Sequence, residues 1–328
     1  MKIVFMGTPD FAARSLERLY ADGHDVAAVF TQPDRRKGRG MKVVFSPVKE
    51  LALKYDTPVF QPVSLLDDTV VGALSDLKCD LIAVVAYGRL LPVEVLKIPL
   101  LGCINIHASL LPKYRGAAPI QWAVLNGETE TGVTSMLMAK ELDAGDILLS
   151  KQTVIGEDET AGELTVRLGD LGAQLLSETL SESMRFDLIR KPQNHNEATL
   201  APAITKDLSA IDWTKTAFEI KCKVRGLNTW PVATTDLQGN SIKVYKVSTS
   251  KYENGSKDRA VNSNVIRKPD DTNKTERINI KPGEIISAGK YGIKIACSDG
   301  LVTIEELQAP GGKRMSAADY LRGRPLCQ

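Results

Sequence analysis

LIAVVAYGRLLPVEVLKIPLLGCINIHASLLP, residues 81–112, decides how this chain is built. It holds two apolar runs, LIAVVAY (81–87) and GCINI (102–106), separated by a proline-bearing segment. Short continuous apolar runs fit strands covered on both faces, whereas strict alternation would mark a sheet with one wet face. The second run carries Asn105, leads into His107, and breaks into a loop with Pro112, Gly116 and Pro119. The chain has only three histidines, so one at the end of a buried strand asks for a reason.

Upstream, KIVFM (2–6), DVAAVFT (25–31) and VFQPV (59–63) read as further strands. Between them lie amphipathic segments. PDFAARSLERLYADG (9–23) is a helix opened by Pro9, with Phe11, Leu16, Leu19 and Tyr20 apolar and Gly23 past its end. SPVKELALKY (46–55) has Ser46 as N-cap and Pro47 at its first position. Strands alternating with helices predict a doubly wound, mostly parallel α/β sheet, with its ligand beyond the carboxyl ends of the strands. His107 lies at such an end.

Downstream, residues 131–155 read as two strands joined around Asp143-Ala144-Gly145-Asp146, and a long helix is expected over about 161–184. Residues 187–206 are polar and proline-bearing, and read as a linker. A helix at 216–227 then precedes short strands with glycine turns, the pattern of a small barrel or sandwich. The stretch 251–280 is too polar to order itself and reads as an insertion. The domains expected are 1–186 and 207–328.

A chain of 328 residues with 43% hydrophobic and 25% charged residues can bury two full cores. No apolar run approaches membrane-spanning length, and the N-terminal MKIVFMG starts a strand rather than a signal peptide, so a cytoplasmic protein with no membrane partner is expected. The five cysteines are scattered, without any C-x-x-C pair, which argues against a disulfide framework or a thiolate zinc site. Residues 1–205 carry 21 Lys and Arg against 26 Asp and Glu, a net −5. Residues 206–328 carry 21 against 14, a net +7, which points to a polyanionic partner for the second part.

Asn105 and His107 are two apart in a strand and so project together. Their N–H groups suit an oxygen that becomes negative during reaction, and one such donor is worth about 3–4 kcal/mol. A carboxylate beside His107 would raise its pKa and keep the proton in place; Glu141, Asp143 and Asp146 are all available. Nothing resembles metal-ligand spacing. Ser109 lacks the G-x-S-x-G setting of a hydrolase nucleophile, and MGTPDFA lacks the glycines of a dinucleotide fingerprint. The loop after the second strand, TQPDRRKGRGMKVVFSPVK, carries Arg35, Arg36, Lys37, Arg39 and Lys42 with no acid between Asp34 and Glu50. It borders the same crevice and could neutralise phosphates.

Asn105-x-His107, Ser109-Leu110-Leu111-Pro112 and the distant Leu142-Asp143-x-Gly145 resemble the signature of the 10-formyltetrahydrofolate-dependent formyltransferases. GTPDFAA (7–13), FTQPDR (30–35), KGRG (37–40), SPVK (46–49), VFQP (59–62), VVAYG (84–88), IDW (211–213) and NTWP (228–231) extend the likeness, toward the branch whose acceptor is methionine on initiator tRNA. The resemblance implies a Rossmann-like formyltransferase domain followed by an OB-like barrel that grips tRNA. It implies Asn105, His107 and Asp143 as the catalytic set, and Ser109, Leu110, Leu111 and Pro112 as folate-binding. The basic loop would reach the tRNA. The formyl donor would be 10-formyltetrahydrofolate with no metal, and the working form a monomer. A sugar-nucleotide or other small-amine formyltransferase would share the catalytic residues but needs neither basic element. A non-catalytic RNA-binding protein would not need the catalytic set.

Overall fold

The structure is a computed structural model that describes residues 1–37, 42–184, 189–251 and 280–324. The chain divides into two compact units. The first comprises Met1–Ile120, Thr129–Gly156 and Glu163–Ala203, the second Gln121–Glu128, Glu157–Gly162 and Ile204–Gln328.

In chain order the elements begin with β1 (Lys2–Gly7), α1 (Asp10–Ala21), β2 (Asp25–Phe30), β3 (Arg35–Lys37), β4 (Lys42–Val44), α2 (Pro47–Lys54) and β5 (Val59–Phe60). Next come α3 (Asp68–Asp76), β6 (Leu81–Val85), α4 (Val93–Leu96) and β7 (Cys103–His107). After α5 (Pro119–Leu125), most of which belongs to the second unit, follow β8 (Glu130–Leu137), β9 (Ile147–Val154) and α6 (Ala161–Met184).

The first unit is built on one sheet of order β5-β2-β1-β6-β7-β8-β9. The members from β5 to β7 are parallel, and β8 and β9 run antiparallel to their neighbours. The sheet is therefore mixed, with a Rossmann-like parallel part. The chain winds outward from β1 to β5, then returns to β6 on the other side of β1. Such a reversal is where open α/β sheets bind ligands, outside the carboxyl ends of the strands. Gln32 Nε2 (3.1 Å) and Thr8 Oγ1 (3.4 Å) both donate to the Tyr87 carbonyl there, tying the loops that follow β1, β2 and β6.

Every residue of β6 and of β7 is buried, which explains their unbroken apolar pattern. On one face Val4, Met6, Ile82, Val84 and Cys103 form a core with Leu74 of α3 and Val95 of α4. Each large aliphatic side chain removed from water there contributes about 2 kcal/mol. On the other face α6 packs closely: a Cβ at Gly172 would lie 3.0 Å from Cγ2 of Ile106. Ser46 caps α2 by accepting the Lys49 N–H at 3.1 Å.

Besides its share of α5, the second unit holds α7 (Ala217–Gly226), which carries a capping box between Thr216 and Glu219. It continues with β10 (Ala233–Leu237), β11 (Asn240–Ser250), β12 (Ile285–Gly289), β13 (Gly292–Ala296), β14 (Leu301–Gln308), β15 (Met315–Ser316) and α8 (Ala317–Gly323). The strands form an antiparallel sheet of order β10-β11-β14-β13-β12, with β15 on β14. Ile220 and Val224 of α7 and Tyr320 of α8 pack with Val244, Ile293, Ile304 and Leu307 of the sheet. Among the described residues β10 and β12 are the edges of an open path, where the sequence suggested a barrel or sandwich. β10 itself escaped the sequence pattern because its ATTDL is too polar to stand out. The expected insertion at 251–280 lies, for residues 252–279, outside the described residues.

The segment read from the sequence as a linker, 187–206, differs from that expectation in its described part. Residues 189–203 belong to the first unit. Lys191 exchanges two backbone hydrogen bonds of 2.9 Å with Ile147, and Gln193 is buried. Polar side chains without periodicity look like linker, but these have partners inside the fold.

Candidate functional site

β7 delivers the site. In register, Asn105 lies beside Val84 of β6 and Met136 of β8, and His107 beside Thr134 of β8. Cys103, Asn105 and His107 share one face of the strand. Asn105 is 9% and His107 6% exposed. Burial pushes the Cys103 thiol up to about 12, so it is an inert apolar neighbour rather than a nucleophile. Among the described residues the Asn105 side chain has no hydrogen-bond partner.

His107 stands between two oxygens. Its Nε2 is 2.8 Å from the Tyr114 carbonyl, and its Nδ1 is 3.6 Å from Oδ2 of Asp143. The Tyr114 carbonyl can only accept, so Nε2 carries a proton, and Nδ1 faces the carboxylate beyond direct hydrogen-bond distance. The same Asp143 Oδ2 accepts the Gly116 N–H at 2.8 Å, which fixes the carboxylate. Of the three acids in the ELDAGD turn, Asp143 is the one paired with the imidazole; Glu141 is exposed. The sequence expectation had His107 donating jointly with Asn105 to a substrate oxygen. In the structure both ring nitrogens already face protein oxygens, and Asn105 holds the unpartnered donors.

The loop after β7 is built on its own polar groups. Ser109 Oγ donates to the Lys113 carbonyl at 2.6 Å. Thr134 Oγ1 donates to the Ser109 carbonyl at 2.6 Å and accepts the Leu111 N–H at 3.2 Å. Ser109 and Leu111 are thus buried parts of the loop, while Leu110 and Pro112 are half-buried. Tyr114 has a left-handed φ of 61°, uncommon for an aromatic residue, and this conformation turns its carbonyl onto His107. Asp143 is also left-handed, at φ 49°. Two residues on, a Cβ at Gly145 would lie 1.8 Å from the Leu137 carbonyl oxygen, so only glycine lets the turn close on β8.

Residues 191–201 carry no signal of site chemistry in the sequence, and their part is read from the structure alone. Tyr114 and Gly116 lie in KYRGAAPIQ (113–121), which continues the stretch that carries the resemblance, but no role came with it.

The basic loop is a hairpin at its base, not an irregular loop. β3 and β4 pair in the register Arg35↔Val44, Arg36↔Val43 and Lys37↔Lys42. Arg35 is exposed. The side chains of Arg36, Lys37 and Lys42, and the whole of Arg39, lie outside the described residues. The two ends of the hairpin are stapled together. Thr31 and Ser46 hydroxyls meet at 2.7 Å. Lys49 Nζ donates to Asp34 Oδ2 at 2.6 Å and to Gln61 Oε1 at 2.8 Å, and Gln61 Nε2 donates to Asp34 Oδ1 at 2.8 Å. These bonds, led by that from Lys49, hold the Asp34 carboxyl below the usual carboxylate range. The Lys49 ammonium also stands 3.9 Å above the Phe45 ring.

Among the described residues no group of three or more His, Cys, Asp or Glu could hold a metal ion.

A family model described as formyl transferase matches residues 1–180, and one described as formyl transferase, C-terminal domain, matches residues 203–325. The methionyl-tRNA formyltransferase of Alkaliphilus oremlandii is 46% identical over 326 residues, covering 99% of this chain and 97% of that protein. An N-formyltransferase from Helicobacter canadensis, solved with folinic acid and dTDP-3-aminofucose, superposes with a TM-score of 0.63 at 18% identity, over 93% of this chain and 98% of that one. HypX from Aquifex aeolicus, solved with tetrahydrofolic acid, gives a TM-score of 0.60 at 20% identity over 98% of this chain, which spans 47% of that longer one. At such identities the two solved structures speak for the fold alone.

Proposed function

The chain belongs to the formyl transferase family, in the branch of the methionyl-tRNA formyltransferases, and from that premise we propose that it transfers the formyl group of 10-formyltetrahydrofolate to the α-amine of methionine on initiator tRNA. The observation that carries the chemistry is the Asn105 amide, in a residue only 9% exposed and without a hydrogen-bond partner among the described residues, on the same strand face as the His107–Asp143 pair.

10-Formyltetrahydrofolate supplies an activated formyl carbon for attack by the amine. The Asn105 amide donates to the formyl oxygen as that oxygen gains charge. His107 exchanges the Tyr114 carbonyl for the same oxygen, because a charge-assisted hydrogen bond to an anion is about twice as strong as one to a neutral carbonyl. Asp143 orients the imidazole and supports its charge. His107 then gives a proton to the departing folate nitrogen and takes one from the attacking nitrogen, which becomes the formamide N–H, so the C–N bond to the folate breaks as the new one is kept and the imidazole ends as it began. The chemistry needs no metal. Leu110 and Pro112, which are half-buried, are the members of the SLLP loop we leave open to the folate, and Ser109 and Leu111 shape the loop.

We assign the chemistry to residues 1–186 and the grip on RNA to residues 207–328, whose sheet we read as an OB-like barrel surface working with the hairpin cations Arg35, Arg36, Lys37, Arg39 and Lys42. The net +7 of residues 206–328 supports this assignment. It also favours tRNA over a nucleotide-sugar acceptor. The setting is the cytoplasm and the working form a monomer; no helix among the described residues is long and apolar enough to cross a membrane. The test is to supply 10-formyltetrahydrofolate with methionine-charged initiator tRNA, uncharged tRNA or a nucleotide-sugar amine. Formylation of the charged tRNA alone is expected. Product only on the sugar amine would move the enzyme to a small acceptor.

A further inference from the structure

We propose that residues 191–201, centred on Gln193, are a positioning element that sets Asp143 against His107; this rests on reading those two residues as catalytic. The partners of His107 come from two separate loops, Tyr114 from the loop after β7 and Asp143 from the turn between β8 and β9. Neither loop alone fixes their separation. The returning segment binds both.

Toward the turn, the Gln193 amide nitrogen donates to the Asp143 carbonyl at 2.9 Å and to the Gly145 carbonyl at 2.7 Å. Toward the other loop, Gln193 Oε1 accepts from Arg115 Nη2 at 2.6 Å and Nε at 3.1 Å. Gln193 is 6% and Arg115 8% exposed, so these bonds form where water competes poorly. Arg115 Nη1 also meets His195 Nδ1 at 3.3 Å. Thr199 Oγ1 accepts the Tyr114 N–H at 2.8 Å, and the Arg115 N–H donates to the Thr199 carbonyl at 2.8 Å. Ala201 N–H donates to the Arg115 carbonyl at 2.7 Å, and a Cβ at Gly116 would lie 2.7 Å from the Ala201 carbonyl oxygen. Gly116 is the residue whose N–H holds the Asp143 carboxylate. One glutamine therefore joins the backbone that carries Asp143 to the arginine flanked by Tyr114 and Gly116. It touches no reacting atom; it acts through Asp143 and His107.

The test compares Gln193→Glu and Thr199→Val with the intact enzyme. Gln193→Glu keeps the shape and the acceptor for Arg115 but removes both N–H donors to the turn. Thr199→Val removes only the acceptor of the Tyr114 N–H. The readouts are kcat and KM for both substrates, the melting temperature, and the ring ¹⁵N signals of the three histidines. Gln193→Glu is expected to lower kcat by about tenfold or more, since small misplacements of reacting groups cost up to about a hundredfold. Both KM values stay within about twofold, and the His107 ring signals shift while those of His24 do not. Thr199→Val moves the His107 signals in a protein that melts normally. Unchanged kcat and unmoved His107 signals in both variants overturn the proposal. A fall in kcat that only tracks loss of folded protein does so too. If Asp143→Asn and His107→Ala also leave turnover intact, it is the catalytic assignment that fails. If they abolish turnover while Gln193→Glu is silent, only the positioning role fails.

Discussion

The Asp143 carboxylate lies 3.6 Å from the imidazole of His107 while the Gly116 N–H holds the same oxygen at 2.8 Å. The acid is thus fixed by backbone as well as by charge. Asp143→Asn can still accept from Gly116, so the turn keeps its shape and only the charge is lost. We expect kcat to fall by about a hundredfold or more with little change in melting temperature, measured by steady-state formylation and calorimetry. Near-normal turnover would remove Asp143 from the catalytic set.

Asn105→Ala deletes donors that have no protein partner, so no buried group is orphaned by the change. The expected result is a stable protein whose turnover is lower by at least about a hundredfold. A loss of stability matching the loss of activity would instead make Asn105 a packing residue.

Lys49→Met breaks the staple at the base of the basic hairpin while keeping much of the side chain's length. The KM for charged tRNA should rise several-fold, with the KM for the formyl donor unchanged. The pH dependence has a definite sign. Asp34 is held below its ordinary pKa, near 3.9, so its contribution is complete above that value and is lost as pH falls through the lower folded value. The protection of the β3 and β4 amides, their exchange measured against the intrinsic rate at each pH, should stay constant from neutral pH to about 4 and fall below it. Protection that already falls near pH 6 would contradict this.

Arg35→Ala should weaken tRNA use and reduce the logarithmic salt slope by about 0.7–0.9, the share of one neutralised phosphate. An unchanged slope would argue against a phosphate contact at Arg35.

Gly145→Ala places a methyl group 1.8 Å from the Leu137 carbonyl oxygen. The turn must move, and Asp143 with it. We expect a destabilisation of about 2–4 kcal/mol in denaturant unfolding, together with lost turnover. A stable, active Gly145→Ala would mean that the turn accommodates a side chain there.

The parallel part of the sheet was legible because β6 and β7 are buried on both faces and show it as unbroken apolar runs. Proline and serine marked the start of α2 in the same local way. The proposed catalytic trio could be located only in part. Strand periodicity put Asn105 and His107 on one face, but spacing left Glu141, Asp143 and Asp146 equivalent, and family resemblance chose among them. The hairpin of β3 and β4 was hidden by its charge, and its described side chains, Arg35, Val43 and Val44, are exposed, so no apolar alternation marked the strands. Residues 189–203 were misread for a related reason. Their order comes from hydrogen bonds to residues some 50 positions away, as between Gln193 and Asp143, and such bonds leave no periodicity.

The brace also dictates when the site can exist during synthesis. By Val154 all the strands of the first sheet have been made, and by Met184 so has the long helix that covers one face. A chain of that length can collapse, pair its strands and bring the Gly116 N–H to Asp143, yet it lacks the segment whose Gln193 and Thr199 bond to both loops. Closing a loop of this length costs entropy that only the last contacts recover. Competence therefore arrives as a late, single event, when residues out to Ala201 dock. A chain arrested at Met184 would have the sheet of this enzyme without its activity.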